Sequence, residues 1–264
     1  MIKTILITGL DGSGKSTLFS KLEAKNLNHV ALISVLHTDI ASISDSSSLK
    51  KPIELLNEMS EEADKDNSDS LKAMALFSAM ILFHKLVAEK TTLETKIIIC
   101  ERHPLIDTFV YAQYYLPRLN SGNTDLEKLM YYNTKYETLF SFVLEQLPVE
   151  NKDLGAYTIY KFIKEFFVKK TAPDAETESI FKTNVPDKIF FLKAPVKILM
   201  ERISCRKVIE AHEKTSILSG LEATYDNLFK TIAKNNDTTI KNIEASSFES
   251  LDNFYSELIK EIKN

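Results

Sequence analysis

Chemistry concentrates first in one run near the amino end, Gly9-Leu10-Asp11-Gly12-Ser13-Gly14-Lys15-Ser16-Thr17. The run fits G-x-x-x-x-G-K-S/T, the phosphate-binding P-loop. Its glycines let the backbone curl until successive N–H groups face one anion. The helix that follows adds partial positive charge at its amino end. Lys15 is expected to reach the β- and γ-phosphates of ATP, and the Ser16 hydroxyl to ligate Mg²⁺. Gly9, Asp11, Gly12, Ser13, Gly14 and Thr17 complete the expected cradle.

Two further clusters suit phosphoryl transfer. Glu101-Arg102-His103-Pro104 places a carboxylate beside a guanidinium. Glu101 can serve as general base or hold Mg²⁺, and Arg102 can bind the transferring phosphoryl group or the acceptor oxygen. The pair also fits an ordinary strand-end ion pair. Arg202 and Arg206 stand four apart and so share one helix face. Two arginines directed at a triphosphate would neutralise charge on the γ-phosphoryl group; a solvated basic face is the plainer alternative. Asp39 follows the second expected strand, where ligands gather in α/β sheets. His37 beside it reads as a surface-loop residue, and His84 as a core or rim histidine.

Elements must position these groups. Ile5-Leu6-Ile7 reads as a buried strand, and Leu18, Phe19 and Leu22 continue at helical spacing. Strands are expected over 29–36, 96–100, 188–192 and 238–243, the second of these with the unbroken apolar character of a parallel strand. Helices are expected over 52–59, 71–90, 218–233 and 247–263, and Pro195 opens another. The polar runs 60–70 and 170–177 read as loops. The Tyr/Phe-rich stretch 117–184 has helical spacing and reads as core packing; the part over 149–184 reads as a helical insertion. Alternating strands and helices give an α/β fold, a P-loop parallel sheet sandwiched by helices. Residues 1–264 are expected to form a single domain with a lid region over 202–218.

Composition bounds the partners. The chain has 264 residues, 44% of them hydrophobic, and a formal net charge of −4, so nothing suggests nucleic acid as a partner. Cys100 and Cys205 give neither a disulfide framework nor metal spacing, which favours a reducing, cytoplasmic setting. The first apolar run is too short for a signal peptide. The apolar stretch 73–83 is about half of the ~20 residues a membrane span needs.

The motifs resemble those of the thymidylate kinase and deoxynucleoside kinase superfamily. The P-loop is similar to that of thymidylate kinases almost letter for letter. Leu76-Phe77-Ser78-Ala79 resembles their base-pocket helix, which implies that Phe77 stacks on the base. Glu101-Arg102-His103-Pro104 departs from their Asp-Arg-Tyr. It resembles the Asp-Arg-His-Pro of herpesvirus thymidine kinases and the Glu-Arg-Ser of cellular deoxynucleoside kinases. That likeness implies substrate contacts for Arg102 and His103, and a base-reading role for Asp107; Asp39 is expected at the substrate from its place after the second strand, and the general base is Glu101 or Asp39. Arg202-Ile203-Ser204-Cys205-Arg206, with Tyr225 downstream, resembles the arginine lid. Dimerisation is also implied.

Two departures bear on the acceptor. Ile81 stands where thymidylate kinases carry a base-contacting Arg. No Lys or Arg occurs between Ser34 and Leu49, where they carry the Arg that clamps the acceptor phosphate. A doubly charged phosphate in a water-poor site needs such a cation; Lys50, Lys51 and Arg118 are the candidates to replace it. A neutral 5′-hydroxyl needs none. The expected activity is transfer of the ATP γ-phosphate to a (deoxy)nucleoside 5′-hydroxyl. A thymidylate kinase acting on dTMP, and a nucleotide-binding regulator without turnover, remain as alternatives.

Overall fold

In chain order, β1 (Lys3–Gly9) leads through the P-loop to α1 (Lys15–Lys25), β2 (Val30–Ile33), α2 (Lys50–Lys65), α3 (Asp69–Lys90) and β3 (Ile97–Cys100). Then come α4 (Pro104–Ser121), α5 (Leu126–Lys135), α6 (Glu137–Leu144), α7 (Gly155–Lys169) and α8 (Ala175–Phe181). β4 (Lys188–Lys193), α9 (Val196–Ser204), α10 (Thr215–Asn235), β5 (Thr239–Glu244) and α11 (Phe248–Lys263) close the chain. This computed structural model describes residues 2–36, 38–121, 126–149, 155–205 and 214–263. The chain folds as two compact units. The first comprises Met1–Ile33, Lys90–His103 and Val185–Asn264, and the second Ser34–Glu89 and Pro104–Asn184.

The first unit holds a five-stranded sheet in the order β2-β3-β1-β4-β5, parallel throughout. Its central strands are buried on both faces, as their unbroken runs demand: Ile5, Leu6, Ile7, Ile99, Cys100 and Ile189 are all 1% exposed or less. β5 forms an edge and is largely exposed. The chain first adds β3 and β2 on one side of β1, then β4 and β5 on the other. The carboxyl end of β1 is therefore the topological switch point, where open α/β sheets bind ligands. α1 packs on β1, while α10 and α11 pack on β5.

The second unit is helical. α6 packs on α2, and α7 packs on α4, α5 and α6. α3 is long and apolar enough to cross a membrane by composition, but 72% of its most apolar window is buried, as in a core helix. The rings of Phe77, Phe162, Phe166 and Phe181 cluster at centroid distances of 5.7–6.0 Å. Within 117–184, Tyr132, Tyr136, Phe140, Tyr160, Phe166 and Phe181 are core residues, as expected, while Tyr131 and Tyr157 are exposed.

Several boundaries differ from the sequence reading. β2 stops at Ile33, short of 36. The polar run from Ser60 is helical to Lys65, because Leu56, Met59, Ser60 and Ala63 form a buried stripe that the charged residues flank. The expected loop 170–177 gives way to α8 from Ala175. There Asp174 and Thr177 close a capping box, Asp174 Oδ1 accepting from the Thr177 N–H at 2.9 Å. α9 ends at Ser204, and Arg206 lies outside the described residues.

Candidate phosphate-binding site

β1 ends in Thr8-Gly9, and the chain then curls through the P-loop into α1. Two glycines make the curl possible: Gly12 at φ 80° and Gly14 at φ 98° both sit in the left-handed region. Gly14 is the N-cap of α1, with no side chain to offer its first N–H groups. Those donors face whatever fills the cradle, the arrangement an oxyanion requires. Space enforces the choice at Gly12, where a Cβ would come within 2.9 Å of the Leu199 carbonyl; at Gly14 it would meet the end of the Leu251 side chain, 2.6 Å from Cδ1, and the positive φ is what favours glycine. α9 and α11 therefore back the loop closely.

Lys15 is 8% exposed. Its Nζ donates to the Gly9 carbonyl at 2.8 Å and the Leu10 carbonyl at 3.0 Å, and lies 3.6 Å from Asp11 Oδ1. Register brings the second cluster alongside, because Leu6 of β1 pairs with Cys100 of β3 and Glu101-Arg102 follow directly. Arg102 Nη2 stands 3.9 Å from the same Asp11 Oδ1. Two cations, one from the start of α1 and one from the turn after β3, thus converge on one carboxylate at the loop. The Glu101 N–H donates to the Ile33 carbonyl at 3.3 Å, which joins this turn to the end of β2. Ser16 and Thr17 lie on the first turn of α1, and the Ser13 hydroxyl is buried with no hydrogen-bond partner among the described residues. The Ser16 hydroxyl and Glu101 carboxylate are hard oxygen donors, the type Mg²⁺ prefers.

The remaining candidates divide. Arg202 is committed to backbone: Nη1 donates to the Gly12 and Ala245 carbonyls at 3.0 and 2.9 Å, and Nη2 to the Ser246 carbonyl at 2.9 Å. Tyr225 is a core residue, fully buried, with Oη 3.3 Å from Thr8 Oγ1. His103 is fully buried, and burial pushes its pKa down to about 3, so it is neutral at physiological pH. The resemblance implies a substrate contact for His103; in this structure its imidazole is enclosed by protein. His37 and Arg206 lie outside the described residues.

In the helical unit, Phe77 is 1% exposed inside its aromatic cluster. Its ring packs on protein rings here, where the resemblance implies stacking on a base. Asp39 is exposed and caps the 3₁₀ turn Ile40–Ser42, its Oδ1 accepting from the Ala41 N–H at 3.0 Å. That makes Asp39 a turn cap. Asp107 is fully buried in the first turn of α4. Each candidate to replace the missing cation has an acidic neighbour. Lys50 pairs with Asp45, Lys51 lies 3.3 Å from Glu54, and Arg118 Nε lies 3.6 Å from Asp69. Arg118 also stacks on the Tyr114 ring at 3.6 Å.

Sequence reasoning singled out the loop, Lys15, Glu101 and Arg102, of which Lys15 and Arg102 meet at Asp11. It missed the ties of Arg202, because their acceptors are carbonyls, which every residue carries and no residue type announces.

No protein-family model matches the sequence, and no curated protein is significantly similar to it. Solved structures are similar over nearly the whole chain. A thymidylate kinase from Candida albicans, described for its broad substrate specificity, aligns at 18% identity and TM-score 0.51, covering 99% of this chain and 92% of that one. A deoxyadenosine kinase from M. mycoides, solved with dCMP and dCDP, aligns at 14% identity and TM-score 0.51, covering 98% of each chain. At these identities the likeness gives the fold: a thymidylate/deoxynucleoside kinase P-loop fold.

Proposed function

We propose, on the premise of that fold, that the chain is an ATP- and Mg²⁺-dependent phosphotransferase acting on the 5′-hydroxyl of a (deoxy)nucleoside. One observation carries the reading. Lys15 and Arg102 approach the same P-loop carboxylate at 3.6 and 3.9 Å, beside a helix start that has no side-chain cap. Two largely buried cations and the amides of a helix start suit a polyphosphate far better than a neutral ligand.

In this reading the loop amides and Lys15 hold the triphosphate, and Ser16 and Glu101 would hold Mg²⁺. Bound there, the ion would neutralise charge on the β- and γ-oxygens. Arg102 orients the acceptor oxygen against the γ-phosphorus. That oxygen forms the new P–O bond, the bond to the β–γ bridging oxygen breaks, and ADP leaves. With Glu101 assigned to Mg²⁺, the hydroxyl proton leaves to solvent as the new P–O bond forms; a carboxylate base, Glu101 or Asp39, is the alternative route for that proton.

Solved structures of the fold include a thymidylate kinase and a deoxyadenosine kinase, so the scaffold accepts both acceptor classes. Charge favours the nucleoside. A 5′-monophosphate brings a charge near −2, and Lys50, Lys51 and Arg118 each already have an acidic neighbour.

The test is ADP release by the purified protein with ATP–Mg²⁺ and a panel of thymidine, the other deoxynucleosides and dTMP. Turnover with a nucleoside, abolished in Lys15→Ala, is the expected result. Turnover confined to dTMP would replace the acceptor. ATP binding with no product from any acceptor would make the chain a nucleotide-binding regulator.

A further inference from the structure

We infer that Arg202 is a positioning residue: it holds the P-loop in its phosphate-binding shape through the Gly12 carbonyl and ties it to the turn between β5 and α11, without touching the transferring phosphoryl group. The inference deepens the proposed function and rests on it only for the identity of the bound ligand.

The first argument is hydrogen-bond accounting. A guanidinium offers five N–H donors in a rigid planar fork. Among the described residues Arg202 bonds to three main-chain carbonyls: Gly12 at 3.0 Å, Ala245 at 2.9 Å and Ser246 at 2.9 Å. These acceptors come from segments 190 and 43–44 residues away along the chain. Three of the five donors, both of those on Nη1 among them, are thus spent on main-chain carbonyls, which makes this side chain a cross-link between two loops.

The second argument is what the loop requires. A cradle of amides binds an anion only while its carbonyls turn away, because a carbonyl oxygen near phosphate is repelled. Lys15 Nζ holds the Gly9 and Leu10 carbonyls. The Gly12 carbonyl is held by Arg202. Gly12 also sits at φ 80°, where glycine is free to swing its peptide planes. It is the loop position most in need of an outside partner.

The third argument is the surroundings. Arg202 belongs to the last turn of α9, whose Leu199 and Ile203 already press on Gly12. A Cβ there would lie 2.9 Å from the Leu199 carbonyl and 3.3 Å from Ile203 Cγ1. One helix therefore supplies both the floor beneath the glycine and the donor that fixes its carbonyl. On the other side, Leu251 of α11 packs against Gly14, so the tie to Ala245 and Ser246 joins the two helices that support the loop.

The test uses the full chain and compares wild type with Arg202→Lys, which keeps the charge but lacks the fork, and Arg202→Met, which keeps only the stem. Binding of ADP, ATP and inorganic tripolyphosphate is measured by calorimetry with Mg²⁺. Loss of a charge-assisted tie should weaken all three by a similar factor, about tenfold, in both variants. A loss seen with ATP and tripolyphosphate but not ADP would mean direct contact with the terminal phosphate. A loss seen with ATP and ADP but not tripolyphosphate would mean contact with the nucleoside portion. Either pattern overturns the inference. Amide hydrogen exchange on the ligand-free proteins supplies a readout independent of any ligand. Arg202→Lys should speed exchange at residues 11–14 and 246–247 while leaving β4 unchanged, and unchanged exchange there overturns the inference. Failure of wild type to bind any of the three polyphosphates would instead overturn the proposed function, with the exchange result still deciding the role of Arg202.

Discussion

Asp11 is the residue on which the phosphate cradle turns. Its carboxylate is 14% exposed and sits 3.6 Å from Lys15 Nζ and 3.9 Å from Arg102 Nη2. Unit charges about 4 Å apart interact by roughly 4 kcal/mol at an effective dielectric near 20, an upper scale for each contact. The same charge has two opposite consequences. It screens Lys15 from Arg102 and so stabilises the empty site, and it repels an incoming phosphate. Replacing Asp11 by Asn, with similar shape and no charge, should therefore separate them. Inorganic tripolyphosphate is expected to bind about tenfold more tightly by calorimetry, while the ligand-free melting temperature falls. Weaker tripolyphosphate binding would show that Asp11 assists the anion instead. The sequence displays Asp11, Lys15 and Arg102 plainly. It does not display that one carboxylate serves both cations, because that depends on the register of β1 against β3.

At the scale of elements, the helical unit is held by a polar junction that no local pattern announces. Glu62 on α2 accepts from Lys135 Nζ at 2.8 Å and from the Tyr136 hydroxyl, and Glu58 lies 3.0 Å from the same ammonium. Lys135 is the last residue of α5, and Tyr136 is the fully buried N-cap of α6. Burial works against the Glu62 charge, yet hydrogen bonds from Lys135 and Tyr136 outweigh it and hold the carboxyl below its ordinary range. Burial first, then the Glu62 contact, pushes the Tyr136 hydroxyl up. The folded carboxyl is the stronger acid, so the unfolded chain binds its proton first as pH falls. The contribution is complete above the ordinary carboxylate value of 4.5 and drains away below it. Glu62→Gln should cost about 1–3 kcal/mol at pH 7 by urea denaturation, and the gap from wild type should narrow as pH falls below about 4. A gap of constant size would show that the carboxylate is not depressed. The same helix marks where pattern reading fell short. Apolar strands and the core helix α3 are plain in the sequence, since burial on every side leaves few polar positions. The acidic run after Ser60 reads as loop because its buried positions, Ser60 and Ala63, are small and only weakly apolar.

For the whole molecule, the chain leaves the sheet-bearing unit twice and returns, so each unit is assembled from separated segments. Periodicity and turn residues are local signals and carry no record of such interleaving. The P-loop is a local signal too, and with the alternation of apolar strands and helices it made the fold readable, while the acceptor was not. The acceptor class can be settled through stability without turnover. A ligand that binds only the folded state adds RT ln(1 + [L]/Kd), about 2.7 kcal/mol at a hundredfold excess over Kd. For a chain of this size each kcal/mol raises the melting temperature by roughly 2–4 °C. ATP–Mg²⁺ should produce such a shift in wild type and none in Lys15→Ala, because the cradle loses its principal cation. With the ATP site saturated by a non-hydrolysable analogue, a neutral deoxynucleoside should add a second increment. Its 5′-monophosphate should add less, since Lys50, Lys51 and Arg118 would have to leave Asp45, Glu54 and Asp69 to meet the extra charge. A larger increment from the monophosphate would reverse the assignment of the acceptor and leave the polyphosphate site standing.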